Sequence, residues 1–199
     1  MGYPKYYDSV EDIKLYDPLS EVLGTFDDGQ YSISYQEVVK SAGHSCPTVA
    51  GAYIMTLVGL KELYKEERAV RGEIQVEFKE SLEEGVTGVI ANVMTQITGA
   101  TDISGFKGIG GIYARHSLME FKSDIPSSVR FTRVDTKQSV DIFYNPNQIK
   151  ADSLMQPLMQ KVLQGDATMN EKIDFARLWQ ERVEKIFLNI EKVIDIQEV

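Results

Sequence analysis

Read only for hydrophobic and polar positions, the chain has its longest apolar stretch at residues 47–60, where Thr48 and Thr56 are the only clearly polar side chains before Lys61. A segment that is apolar almost all round predicts a buried helix over 47–65. Pro47 suits its first turn, where a missing N–H costs nothing, and this places Ser45 or Cys46 at the N-cap. Just upstream, Ser34 and Glu37 have the spacing of a capping box, and Gly43 can supply a left-handed end. The expectation is a short helix over 34–42, a tight connection holding His44, and then the buried helix.

The rest of the chain mixes both periodicities. Residues 74–78 (Ile-Gln-Val-Glu-Phe) alternate as a half-buried strand does. Residues 112–121 read as a strand, and 129–135 and 138–144 as a hairpin about Thr136-Lys137. Arg130 and Arg133 then lie on opposite faces of their strand, so at most one can point into a given cleft. Residues 86–97 suit either helix or strand, with length favouring helix. Helices are expected over 152–164 and 169–193, parted at Gly165-Asp166. Leu178, Val183, Ile186, Phe187, Ile190, Val193 and Ile194 share one face of the last helix, as a stripe for the core or for a dimer, with Trp179 packed beside them. Residues 1–30 look irregular, with a short helix near 10–16 and a turn at 27–30. Tyr3, Tyr6, Tyr7 and Tyr16 would cover the core or a partner chain, or leave a loosely ordered terminus.

These elements predict an α+β fold, with helices packed on one face of a mixed or antiparallel sheet and a C-terminal helical extension. At 199 residues the chain suits one domain, 1–199. Its core would span about 35–145, with an N-terminal arm at 1–33 and C-terminal helices at 150–195. The net charge is −9, which argues against a nucleic-acid binder or an anionic membrane surface as partner. A single cysteine excludes an internal disulfide and a four-cysteine zinc module in one chain. The N-terminus has no apolar core of signal-peptide length and no apolar run reaches membrane-spanning length, so a cytoplasmic location is the default expectation.

The candidate chemistry lies at the head of the buried helix. His44 and Cys46 stand two residues apart, and free N–H groups at a helix start favour a thiolate there. A thiolate beside an imidazole suits zinc or another late transition metal, and equally an activated nucleophile. An inert cysteine entering a buried helix is the plain alternative. The only other histidine is His116, placed by the expected strand on a face with Ala114 and Leu118 while Arg115 points away. If that strand packs on the buried helix, His116 completes a two-histidine, one-cysteine metal set with an open position. Thr98 and Gln96 are candidates to support a cofactor there, against a plain role as helix-end residues. The four glycines of 105–111 are followed by an expected strand, so a mobile lid fits them better than a phosphate loop. The acidic run 80–84 reads as a solvated turn.

The words Gly43-His44-Ser45-Cys46-Pro47, with the apolar helix after them, resemble the FmdE family, named after one of the components of formylmethanofuran dehydrogenase. That family opens its helix with Gly-His-x-Cys-Pro-Gly, and here Thr48 takes the place of the last glycine. A second family stretch, ending Thr-Gly-Cys-Thr, is echoed by Thr98-Gly99-Ala100-Thr101, with alanine at the cysteine position. The likeness covers roughly residues 35–145. It implies an α+β core with a helix at 86–97, a homodimer, and a metal cleft at His44 and Cys46; it implies no defined reaction. Three functions follow as expectations. The first is a metal- or ligand-binding cleft, with zinc as the candidate transition metal. The second is a non-catalytic small-molecule or cofactor carrier, strengthened by Ala100. The third is a cysteine-dependent enzyme with His44 as base.

Overall fold

The computed structural model describes residues 2–199. After a 3-10 turn at Lys5–Ser9 come β1 (Ile13–Tyr16), α1 (Pro18–Val22), β2 (Gln30–Ile33), α2 (Tyr35–Ala42) and α3 (Pro47–Tyr64). The middle of the chain supplies β3 (Ala69–Val70), β4 (Ile74–Phe78), α4 (Thr87–Thr98), β5 (Met119–Phe121), β6 (Val129–Arg133) and β7 (Ser139–Tyr144). The C-terminal part is α5 (Met155–Gln164), α6 (Met169–Phe187), the single turn α7 (Ile190–Val193) and β8 (Ile194–Glu198). The fold is α+β as expected, but it has two sheets. One runs β2-β1-β3 and the other β5-β4-β6-β7-β8, and each mixes parallel and antiparallel pairs.

The buried helix is α3. Val49, Ala50, Ala52, Tyr53, Ile54 and Met55 are fully enclosed, between β6 and β7 on one side and α2, α4 and α6 on others. Two glycines let the helix lie flat on the sheet. A Cβ at Gly51 would come within 2.2 Å of the Tyr144 ring, and one at Gly59 within 2.7 Å of Phe131. The expected capping box is present: Ser34 accepts from the Glu37 N–H, Glu37 reaches back to the Ser34 N–H, and Gly43 closes α2 at φ 75°.

The ends of the chain depart from expectation. The expected helix near 10–16 is the strand β1, whose Ile13 and Leu15 point into the core while Lys14 is exposed. The long C-terminal helix stops at Phe187; after one more turn the chain becomes β8, paired antiparallel with β7. Leu178, Val183, Ile186 and Val193 are buried within the chain, so the apolar stripe is core and not a free dimer face. The tyrosine arm covers the core: Tyr7 meets Tyr35 edge-on at 5.1 Å, and Tyr35 in turn meets Phe187 at 4.6 Å. Among the described residues no helix is long and apolar enough to cross a membrane.

Candidate functional site

The connection between α2 and α3 is short because both helices end in sequence-coded stops, Gly43 on one side and Pro47 on the other. Cys46 is the N-cap of α3, and its Sγ accepts the Val49 N–H at 3.4 Å. His44 folds back on α2, with Nδ1 3.0 Å from the Ala42 carbonyl oxygen. A carbonyl only accepts, so in the neutral ring the proton sits on Nδ1 and Nε2 carries the lone pair. That Nε2 lies 3.4 Å from Cys46 Sγ. The sequence therefore brings its thiol and imidazole together, with one nitrogen anchored and the other aimed at sulfur.

Ser45, between them, faces inward and is held from several elements. Its Oγ shares a 2.8 Å hydrogen bond with the Tyr35 hydroxyl and lies 3.4 Å from the Tyr6 hydroxyl. Its carbonyl oxygen accepts from Trp179 Nε1 at 2.9 Å and from Gln180 Nε2 at 3.4 Å. Tyr6 also donates to Gln180 Oε1, at 2.9 Å. Trp179, expected to do no more than pack, thus fixes the backbone of the motif. Burial raises the Tyr35 phenol well above its ordinary range, against the opposing Ser45 hydrogen bond, so Tyr35 stays a neutral partner at physiological pH. Tyr6 and Trp179 are visible in sequence only as packing residues, and the clamp itself is not, since it joins positions 6, 35, 179 and 180.

His44 itself is exposed and lines a hollow of about 490 Å³ with Ser41 and Ala42 of α2 and Val89, Asn92, Val93 and Gln96 of α4. Gln96 shares this hollow with the histidine, and its Nε2 donates to the Glu37 carbonyl oxygen at 3.4 Å. Thr98 does not. It is buried, its Oγ1 donating to Met94 O and accepting from the Ala100 N–H, which makes it a helix-end residue. Ala100 is likewise fully buried.

His116 is not part of this corner. The strand expected over 112–121 is reduced to β5, because Tyr113 and Ser117 take positive φ of 63° and 58° and break the extension. His116 lies in a loop tied across itself by Arg115 N–H to Phe106 O and Ser117 N–H to Asp102 O. Its Nδ1 is 2.9 Å from the neighbouring Ser117 Oγ. Among the described residues no three His, Cys, Asp or Glu side chains gather closely enough to hold a metal ion. The glycine stretch forms the tip of the same loop, a turn at Gly110-Gly111 between the bridged Ile109 and Ile112. It lines none of the hollow beside His44, so the lid expectation finds no support in its placement.

The residue of that loop that turns inward is Arg115, against expectation. Its Nη2 donates to Asp17 Oδ1 at 2.6 Å, both side chains 7% exposed, and its guanidinium fills the space beside Gly72 and Gly99. Arg130 and Arg133 are also committed, the first bidentate to Asp141 at 2.8 Å, the second to Asp135 and over the Tyr64 ring.

As a metal site the pair fits in kind and spacing and falls short in number. Sulfur and nitrogen bound to one tetrahedral zinc at about 2.3 and 2.0–2.1 Å would sit about 3.5 Å apart, close to the distance found. Two protein donors, however, are fewer than the three or four of zinc sites. No family model and no curated protein matches the chain. Among solved structures it is similar to a tungsten formylmethanofuran dehydrogenase FmdE-like protein from Syntrophus aciditrophicus. That likeness has 12% identity and a TM-score of 0.45, over 84% of this chain and 72% of that one.

Proposed function

We propose that this chain is a divergent FmdE-like domain whose cleft binds a soft metal ion or a small ligand at Cys46 and His44. One observation carries the reading: Nε2 of a tethered histidine and the sulfur of an N-cap cysteine converge at 3.4 Å, with the histidine on the edge of an open hollow. The Gly-His-Ser-Cys-Pro sequence at that place supports the family assignment. Cys46 and His44 would hold the ion, and a bound ion of the zinc type would supply Lewis acidity. The residues of the chain do the rest. Ala42 orients the imidazole, Val49 N–H stabilises negative charge on sulfur, and Ser45 with its clamps keeps the pair from spreading. Because two donors leave the set unfinished, ligand atoms or a second copy in a homodimer complete it.

The same contact favours a second reading, in which Cys46 is a nucleophile and His44 takes its proton. The two part on metal content. The first predicts near-stoichiometric zinc after anaerobic loading and dialysis, lost in both Cys46→Ser and His44→Ala while circular dichroism is unchanged. Wild-type protein that retains no metal under these conditions overturns it. Rapid alkylation of Cys46, slowed by His44→Ala, would then point to the nucleophile.

A further inference from the structure

A second hollow, of about 330 Å³, begins two residues beyond Cys46, at Thr48. Its wall is chiefly apolar, from Met55 of α3, Phe78 of β4, Ile90 of α4, Val129 of β6 and the ring of Tyr144. Tyr144 ties it to the motif by donating its hydroxyl to Pro47 O at 2.6 Å, with its ring over Gly51. The two hollows share α4 as a wall: Val86, Thr87 and Ile90 line this one, and Val89, Asn92, Val93 and Gln96 line the one beside His44. The two sets interleave along a single helix, and Cys46 sits in the chain between His44 at one hollow and Thr48 at the other.

The chemistry of the second hollow narrows its occupant. Its charged neighbours, Lys79 and Glu80, are of opposite sign and already engaged, Lys79 with Pro126 O and Glu80 with the Thr87 hydroxyl. Ser127 likewise donates to Asp141. No net charge remains to recruit an ion, while the apolar wall gains from covering a ring. The volume is at the small end of ligand pockets, which run from about 300 to 1,000 Å³.

We infer that this hollow receives the apolar, ring-sized body of a neutral small molecule whose coordinating or reactive end lies at Cys46. The inference rests on the reading of Cys46 and His44 as a working pair, and the test separates the two. With one cysteine in the chain, intact mass reports Cys46 alone. Chelator-stripped protein is alkylated with iodoacetamide and, in parallel, with N-benzyliodoacetamide. In each case the thiolate sulfur bonds to the CH₂ carbon, the C–I bond breaks, and iodide leaves. The benzyl reagent should show a rate that saturates with concentration. Its advantage over iodoacetamide should exceed that on urea-unfolded protein by about tenfold or more, the size expected from burying one ring. Thr48→Trp, or Ile90→Trp if the first variant misfolds, should erase that advantage by filling the rim. A benzyl advantage equal to that of the unfolded protein, with no saturation, overturns the inference even when iodoacetamide reacts fast and depends on His44. Slow iodoacetamide labelling that ignores His44→Ala, in protein that also takes up no zinc, sinks the working pair instead.

Discussion

The two histidines of this chain both sit in connections between regular elements, yet the fold treats them in opposite ways. His44 lies between two capped helices. One ring nitrogen is bound to Ala42, the other faces Cys46, and the residue between them is held by α2, α6 and the N-terminal arm. His116 lies in a loop folded about its neighbour Arg115, and its ring nitrogen bonds only to the adjacent serine. A histidine becomes part of a site when the backbone on both sides of it is fixed in the direction of a partner. At His44 the helix ends do this; at His116 the same local order serves a buried ion pair.

The sharpest way to break the comparison is to remove the organiser of the second loop. Arg115→Ala leaves Asp17 buried with only Arg71 Nη1, at 3.3 Å, as a cation. The expected loss of stability is about 3 kcal/mol, toward the low end for breaking a buried pair because Arg71 remains, read as a shift of the urea midpoint at pH 7. Burial pushes the Asp17 carboxyl up, but the charge and hydrogen bond of Arg115, with Arg71, outweigh it and hold the group below its usual range. A depressed folded value means that the contribution is whole above the unfolded pKa of about 3.9 and is lost as pH falls through the folded one. The stability that wild type owes to ionised Asp17 should therefore hold from neutral pH down to the carboxylate range and be lost below it. Arg115→Ala, with its Asp17 carboxyl raised by burial, should lose less on acidification. A wild-type stability that already falls between pH 7 and 5 as steeply as that of the variant would assign the effect to another group. Zinc uptake at Cys46 should survive the variant wherever it is folded.

A smaller effect is expected at the first corner from Ser45→Ala. The Tyr35 hydroxyl is fully enclosed and loses its 2.8 Å partner. Leaving such a group unmatched costs about 1–3 kcal/mol, measurable as a change in denaturation midpoint. Ser117→Ala, beside His116, should change almost nothing. If both serines cost the same, the clamp about Ser45 is not what distinguishes the two corners.

How much of this is legible in the sequence follows the range of the interactions. The capping box, the left-handed Gly43 and Pro47 act within a few residues, so α2, α3 and the meeting of His44 with Cys46 can be read directly. The hairpin of β6 and β7 and the strand β4 are legible from alternation for the same reason. β1 escapes because four residues among Asp and Pro carry too short a pattern, and β8 because the helical stripe of α6 runs straight into it. Neither strand stands without its neighbours β2 and β7. The clamp on Ser45 joins residues 39, 10 and 134 positions away, beyond any local pattern. Arg115 falls on the wrong side because alternation implies an extended strand where two non-glycine residues adopt positive φ.

The smallest expected effect is also the most discriminating. His116→Ala removes a half-buried ring whose only hydrogen bond is to an exposed neighbour. Stability should stay within about 0.5 kcal/mol, and both zinc uptake and the alkylation rate of Cys46 should match wild type, in contrast to His44→Ala. No three donors gather within one described chain, so a fold-neutral His116→Ala that nevertheless lost zinc would have a specific meaning. The third donor would then come from a second copy, and dilution should weaken metal binding in the wild type as well. Unchanged zinc and thiol chemistry in His116→Ala would leave Cys46 and His44 as the whole of the protein's contribution, with the remaining positions left to the ligand.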